Sequence, residues 1–172
     1  MRGMKIIIVG LPLFSKRLEQ DLLEFDSSNS YKSLDTYYNK IDKLKALLKV
    51  PKADCIFSIN GSITKSKVFD IAFKNNVPVI MNWVGTDVLK AIAAYKQGEY
   101  NKGYISKAYH LCEVQWIKEE LEQIGINAII QNHKIPVNPK ENPTYCSNNK
   151  LSVMSYIPDK RSEFYGIKEI LN

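Results

Sequence analysis

The chain has 172 residues, 45 % of them apolar, and a formal net charge of +6. That length accommodates one ordinary domain of roughly 100–150 residues and a remainder, and the apolar share is enough for a globular core. No apolar run approaches the ~20 residues of a membrane span, and Ile6–Val9 is shorter than the ~7–15 residues of a signal-peptide core, so a cytoplasmic location is expected. Cys55, Cys112 and Cys146 form no Cys-x-x-Cys pair, and His110 and His133 have no ligand spacing around them. Neither a disulfide framework nor a metal site is expected from such a pattern. The positive charge suits an anionic partner. The lysines are not interleaved with aromatics, however, and nucleic acid is the least favoured partner.

In chain order, Lys5–Val9 reads as a buried parallel strand, broken by Gly10 and Pro12. Ser15 is positioned to cap a helix with Leu18, Leu22 and Phe25 on one face, and Ser27–Ser30 reads as a loop. Leu34, Tyr37, Tyr38, Ile41, Leu44, Leu47 and Leu48 then recur at helical spacing, with Lys40, Lys43 and Lys49 on other faces, until Pro51 ends the run. The lysine-bearing helix, residues 35–49, presents either a solvated charged face or a site for peripheral contact with anionic lipid.

Asp54–Ile59 is a second apolar strand, closed by Asn60-Gly61-Ser62, which is either a ligand loop or a plain turn. Val68, Ile71 and Ala72 outline a short helix leaving at Asn75-Asn76, and Val77–Asn82 is the next strand. Val88, Ala91, Ile92 and Tyr95 continue as a helix to Gly98. Tyr109–Cys112 is a strand, Ile117, Leu121 and Ile124 a helix stripe before Gly125, and Ala128–Gln131 a last strand. Short apolar strands alternating with helices of about ten residues predict an α/β fold, a Rossmann-like doubly wound parallel sheet. Gly10, Asn60-Gly61, Asn82–Asp87, Glu113 and Asn132 are then expected along one edge. Residues 1–134 form this domain, the Pro- and Asn-rich stretch 135–150 reads as a linker, and 151–172 as the incomplete opening of a second unit.

The sharpest segment is Trp83-Val84-Gly85-Thr86-Asp87-Val88, a tight turn between strand and helix. Gly85 allows a positive φ and close approach of a ligand. Thr86 or Asp87 caps the helix, or Asp87 is free to orient a sugar hydroxyl or act as a base. Trp83 either stacks on a sugar ring or packs beneath the helix. Gly10-Leu11-Pro12 lacks the Gly-x-Gly-x-x-Gly spacing of dinucleotide-binding turns. Neither a Gly-x-Ser-x-Gly elbow nor a phosphate-binding Gly-Lys-Ser/Thr loop occurs.

Taken in order, Asn76–Ile80, Trp83–Val88, Ile105–Cys112, the helix Trp116–Gly125, Asn132–Val137 and Leu151–Tyr165 resemble the N-terminal half of a GT-B glycosyltransferase of the family 4-like kind. The resemblance implies two Rossmann-like domains facing across a cleft, the first holding the sugar or lipid-linked acceptor and the second the nucleotide-sugar donor. It implies no metal and no cofactor beyond the donor. Many relatives keep a histidine directly before Gly-Thr-Asp or Gly-Ser-Asp, and here that position is Val84. On this reading Asp87 is the catalytic-side residue, Trp83, Gly85, Thr86, Asn60, Gly61 and Gly10 line the substrate cleft, and Lys160 and Arg161 lie toward donor phosphates. The chain alone is expected to be inactive, and any membrane contact is expected to be peripheral, at the inner face. The alternative is a non-catalytic α/β module that binds a carbohydrate or a protein. A flavodoxin-like or response-regulator reading ranks last, because the first strand is followed by neither an acidic cluster nor a phosphate loop.

Overall fold

The computed structural model describes residues 3–131. Contacts divide the chain at Lys134–Ile135, and the described residues all belong to the first unit. The linker 135–150, the segment 151–172, and Cys146, Lys160 and Arg161 lie outside the described residues.

Strands β1 (Lys5–Gly10), β2 (Ser30–Ser33), β3 (Cys55–Ile59), β4 (Val79–Trp83), β5 (Tyr109–Cys112) and β6 (Ile129–Ile130) form one sheet in the order β2-β1-β3-β4-β5-β6. Every pairing is parallel. Between them run α1 (Pro12–Phe25), α2 (Lys40–Lys49), α3 (Lys67–Lys74), α4 (Thr86–Gln97), α5 (Lys102–Lys107) and α6 (Gln115–Glu122). This is the expected Rossmann-like doubly wound architecture.

Register sorts the side chains onto two faces, because successive strand residues point opposite ways. Ile7, Ile56 and Val79 stand side by side on one face. There they join Ala46 and Val50, Phe69 and Ala72, Val88 and Ala91, and Ile117 and Leu121 in the larger core, contributed by α2, the turn after it, α3, α4 and α6. The opposite face carries Ile8 and Ile59, packed with Tyr31 against Leu18 and Leu22 of α1. Beyond the reach of α1, Tyr109 and Ile129 on that face stay exposed.

Two sequence expectations are corrected near the N-terminus. Ser15 does not open α1: the helix begins at Pro12, and the buried Ser15 hydroxyl donates to the Pro12 carbonyl at 3.1 Å. Proline suits a first helical position, where its missing N–H is not needed. Phe25 is exposed rather than on the packed face. The helix expected over 35–49 begins only at Lys40, capped by Asn39, whose side chain accepts from the Ile41 and Asp42 amides. Ahead of it lies β2, unrecognised in a polar Ser-Tyr-Lys-Ser run. It is held by β1 on one side, and the Glu19 carboxylate of α1 accepts from both the amide and the hydroxyl of Ser33. Leu34 extends this pairing by donating its amide to Ile8 and is buried.

His110 of β5 is buried in the sheet. Its Nδ1 accepts from the Trp83 Nε1–H at 3.1 Å. Indole only donates, so the imidazole is the neutral tautomer whose Nε2–H donates to the Ile105 carbonyl, 3.0 Å away. Burial lowers its pKa from the ordinary value, outweighing its backbone hydrogen bonds. The unfolded chain therefore takes up this proton first on acidification. The contribution is fully present above about pH 6.5 and is lost as pH falls from there through the lowered folded value. Urea titrations between pH 7.5 and 5.5 are expected to show falling stability, and His110→Gln is expected to flatten that slope. A slope unchanged by the substitution would contradict the neutral buried imidazole.

Candidate functional site

Parallel strands bring their carboxyl ends to one edge, and ligands bind there at the point where strand order reverses. In this sheet β1 passes by way of α1 to β2 on one side, and the chain then returns by way of α2 to β3 on the other. The reversal lies between β1 and β3. A cavity of about 430 Å³ opens at that place.

Its floor is made by strand ends, Val9 and Gly10 of β1, Ser58 of β3 and Asn60 directly after it. Gly10 has φ +110°, and a Cβ there would sit 1.9 Å from the Ile59 carbonyl oxygen. Only glycine permits this approach, which the Leu11 amide completes by donating to the same carbonyl at 3.0 Å. One wall comes from the segment after β2, with Thr36 and Tyr37, and from Lys43 and Leu47 of α2. The other wall is the start of α3, with Lys65, Ser66 and Lys67. Ser66 caps that helix by accepting from the Phe69 amide. Tyr104 of α5 fixes this corner: its hydroxyl accepts from the Ser66 amide at 3.0 Å and donates to Asp70 Oδ1 at 2.6 Å. Burial first, and the Asp70 bond second, push the Tyr104 hydroxyl up to about 12, so it stays protonated.

Asn60 is the strained residue of the site. It holds φ at +106° without being glycine. Such conformations persist where surrounding bonds over-determine them, and they cluster at functional sites. Here the Asn60 amide donates to the Asn82 carbonyl at 3.0 Å, its carbonyl accepts from the Ser58 hydroxyl at 2.9 Å, and its side-chain Nδ2 donates to the Tyr37 hydroxyl at 2.6 Å. The cavity thus combines hydroxyls, an amide and three lysines, Lys43, Lys65 and Lys67. Hydroxyls and amides suit a polyol, and the lysines with the positive end of α3 suit a phosphate or carboxylate.

Of the residues expected to touch a ligand, Gly10 and Asn60 line this cavity. Gly61 sits between two lining residues but is buried, and a Cβ there would meet the Trp83 ring at 2.2 Å. Trp83 itself is completely buried, so stacking on a sugar is corrected to packing beneath the loop. Gly85 takes φ +131° in open space, and Thr86 is exposed at the turn, with neither lining the cavity.

Asp87 departs furthest from its expected role. It is only 3 % exposed, and its carboxylate is filled by the backbone. Oδ1 accepts from the amides of Gly85 at 2.8 Å and of Val84 and Val88 at 3.1 Å. Oδ2 accepts from the Gly61 amide at 2.6 Å. A carboxylate engaged in this way neither orients a ligand hydroxyl nor acts as a base. Asp87 is a positioning residue, tying the β3 loop that borders the cavity to the start of α4. The lysines, Thr36, Tyr37 and Ser66 were missed by sequence reasoning. Their only signal was Ser66 between two lysines at the start of a recognisable helix.

Among the described residues, no group of three histidine, cysteine, aspartate or glutamate side chains is placed to hold a metal. Cys55 and Cys112 are free and buried, and burial raises both thiols.

Replacing Asp87 by alanine strands the amides of Gly61, Val84 and Gly85, while Val88 keeps its bond to the Gly85 carbonyl, and is expected to cost about 3–5 kcal/mol in equilibrium urea unfolding. Thr86→Ala, at the exposed neighbour, is expected to cost about 0.5 kcal/mol or less. Equal effects of the two would contradict the positioning role. No family model matches the chain, and no curated protein matches it either, so the reading of the site stands on its own geometry.

Proposed function

We propose that this chain supplies the acceptor-side half of a sugar transferase of GT-B type, acting with a nucleotide-diphospho-sugar donor. The observation that carries the proposal is the cavity at the β1/β3 reversal, whose hydroxyl, amide and lysine lining suits a sugar that bears or adjoins an anionic group. The Rossmann-like sheet and the resemblance carried by Trp83–Val88 support the same reading. In such a transfer the acceptor hydroxyl oxygen forms a bond to the anomeric carbon. The bond from that carbon to the donor diphosphate breaks, and the electron pair leaves with the phosphate oxygen. Tyr37, Asn60 and Ser62 would hold acceptor hydroxyls, and Lys43, Lys65 and Lys67 its anionic group.

One observation favours the alternative, a binding module without catalysis. None of the described residues lining the cavity is a carboxylate or an imidazole, and Asp87 is withdrawn into the turn. The described half therefore binds and orients, and a proton acceptor for the acceptor hydroxyl would come from elsewhere.

The test is a transfer assay on the gene product that carries this chain, with a panel of nucleotide sugars and with carbohydrate and lipid-linked acceptors. Transfer is expected, with Lys67→Ala raising the acceptor KM by about tenfold, the scale of one lost charge-assisted hydrogen bond, and Thr86→Ala leaving it unchanged. Acceptor binding without any transfer would overturn the enzyme reading in favour of the binding module.

A further inference from the structure

Helix α2 turns two different stripes in two directions. Ala46, followed by Val50, points into the core and is buried. Ile41, Leu44 and Leu48, spaced i, i+3 and i+7, fall on one outward line and are 65 %, 60 % and 66 % exposed. Tyr38, just before the helix, is 83 % exposed, and its ring lies against that of Tyr37. Most of the apolar side chains that recur at helical spacing over this segment are thus on the surface.

Lysines surround this stripe. Lys40, Lys43, Lys45, Lys49 and Lys52 are all exposed, and the only acid between Lys40 and Lys52 is Asp42. Asp42 is already engaged, with Lys45 at 3.2 Å and the Asp35 amide at 3.2 Å. Past the end of the helix the positive charge continues, since Lys49 and Lys52 join Lys5 and Lys32 around a second cavity of about 280 Å³. An exposed apolar line with aromatics at one end and ammonium groups on its flanks is the pattern of a helix lying in the plane of a bilayer interface. The surrounding charge selects anionic headgroups, each nearby lysine adding roughly a fivefold factor in partitioning.

We propose that α2 is a membrane-docking helix that seats Tyr38, Ile41, Leu44 and Leu48 in the surface of an anionic bilayer. Charge complementarity names the occupant, and the outward, single-helix shape fits a deformable lipid surface, whereas an acidic protein would need a matching groove. The proposal stands independently of the sugar-transfer reading. It has a geometric consequence for that reading: Lys43 and Leu47 of the same helix line the cavity, which would bring the opening beside the lipid surface.

The test is co-sedimentation of the full chain with vesicles of phosphatidylcholine alone or mixed with phosphatidylglycerol. Binding is expected to the mixed vesicles, weakening as salt is raised. The triple variant Ile41→Ser/Leu44→Ser/Leu48→Ser and the double variant Lys45→Glu/Lys49→Glu are each expected to lower partitioning by about tenfold or more. All five side chains are exposed or flanking, and circular dichroism with urea titration checks that both variants stay folded. Absence of binding, equal binding to both vesicle types, or unaltered binding by the folded triple variant would overturn the proposal. So would self-association of the wild type that the triple variant abolishes without any vesicle binding, since the stripe would then be an interface between copies.

Discussion

The carboxylate of Asp87 is the point on which the carboxyl edge of this sheet depends. Its four backbone partners come from two strand ends: Gly61 after β3, and Val84, Gly85 and Val88 around the start of α4. Parallel strands do not themselves order the loops that leave them. An ionised group aimed at several amides does so, because each charge-assisted bond is stronger than a neutral one. The negative charge also lies at the amino end of α4, where the helix dipole favours it. Gly61 is pulled close enough for its missing side chain to be filled by the Trp83 ring, and Trp83 is held in turn by His110. Asp87 and His110 are thereby connected beneath the loop, through the Gly61 amide and the Trp83 ring packed on it.

That arrangement explains why the candidate cavity lies beside the Gly-Thr-Asp turn rather than on it. The turn spends its polar groups on itself. Asn60 and Ser62, on either side of the clamped Gly61, are left to face the space between β1, β3, α2 and α3. Strain at Asn60 is stable because its neighbours hold both its backbone and its amide side chain.

The fold was largely legible in the sequence, for a physical reason. The central strands β1, β3 and β4 are buried on both faces and therefore read as continuous apolar runs, while Asn76 and Gly98, both at positive φ, mark helix exits. What escaped were elements whose register is set by neighbours. β2 is a polar edge strand defined by pairing with β1 and by Glu19, neither of which is local in sequence. Periodicity then extended α2 back over Leu34 and Tyr37, and those residues hid one wall of the cavity. Helical spacing also says nothing of which way an apolar line faces, so the outward direction of Ile41, Leu44 and Leu48 was not legible. At the site, Gly85 and Asp87 stood out because their residue types are demanding. Their demand proved to be conformational and structural, whereas the lysines and hydroxyls of the cavity belong to types common on any surface.

The cavity at the β1/β3 reversal is the proposed place of ligand recognition. The direct measurement is mapping of backbone amide chemical shifts in the 172-residue chain as glucose 1-phosphate is added. The largest changes are predicted at Gly10, Asn60, Ser62 and Lys67, with Val84, Gly85 and Thr86 little affected. Changes centred on Val84–Thr86 instead, with the β1/β3 amides unmoved, would contradict it.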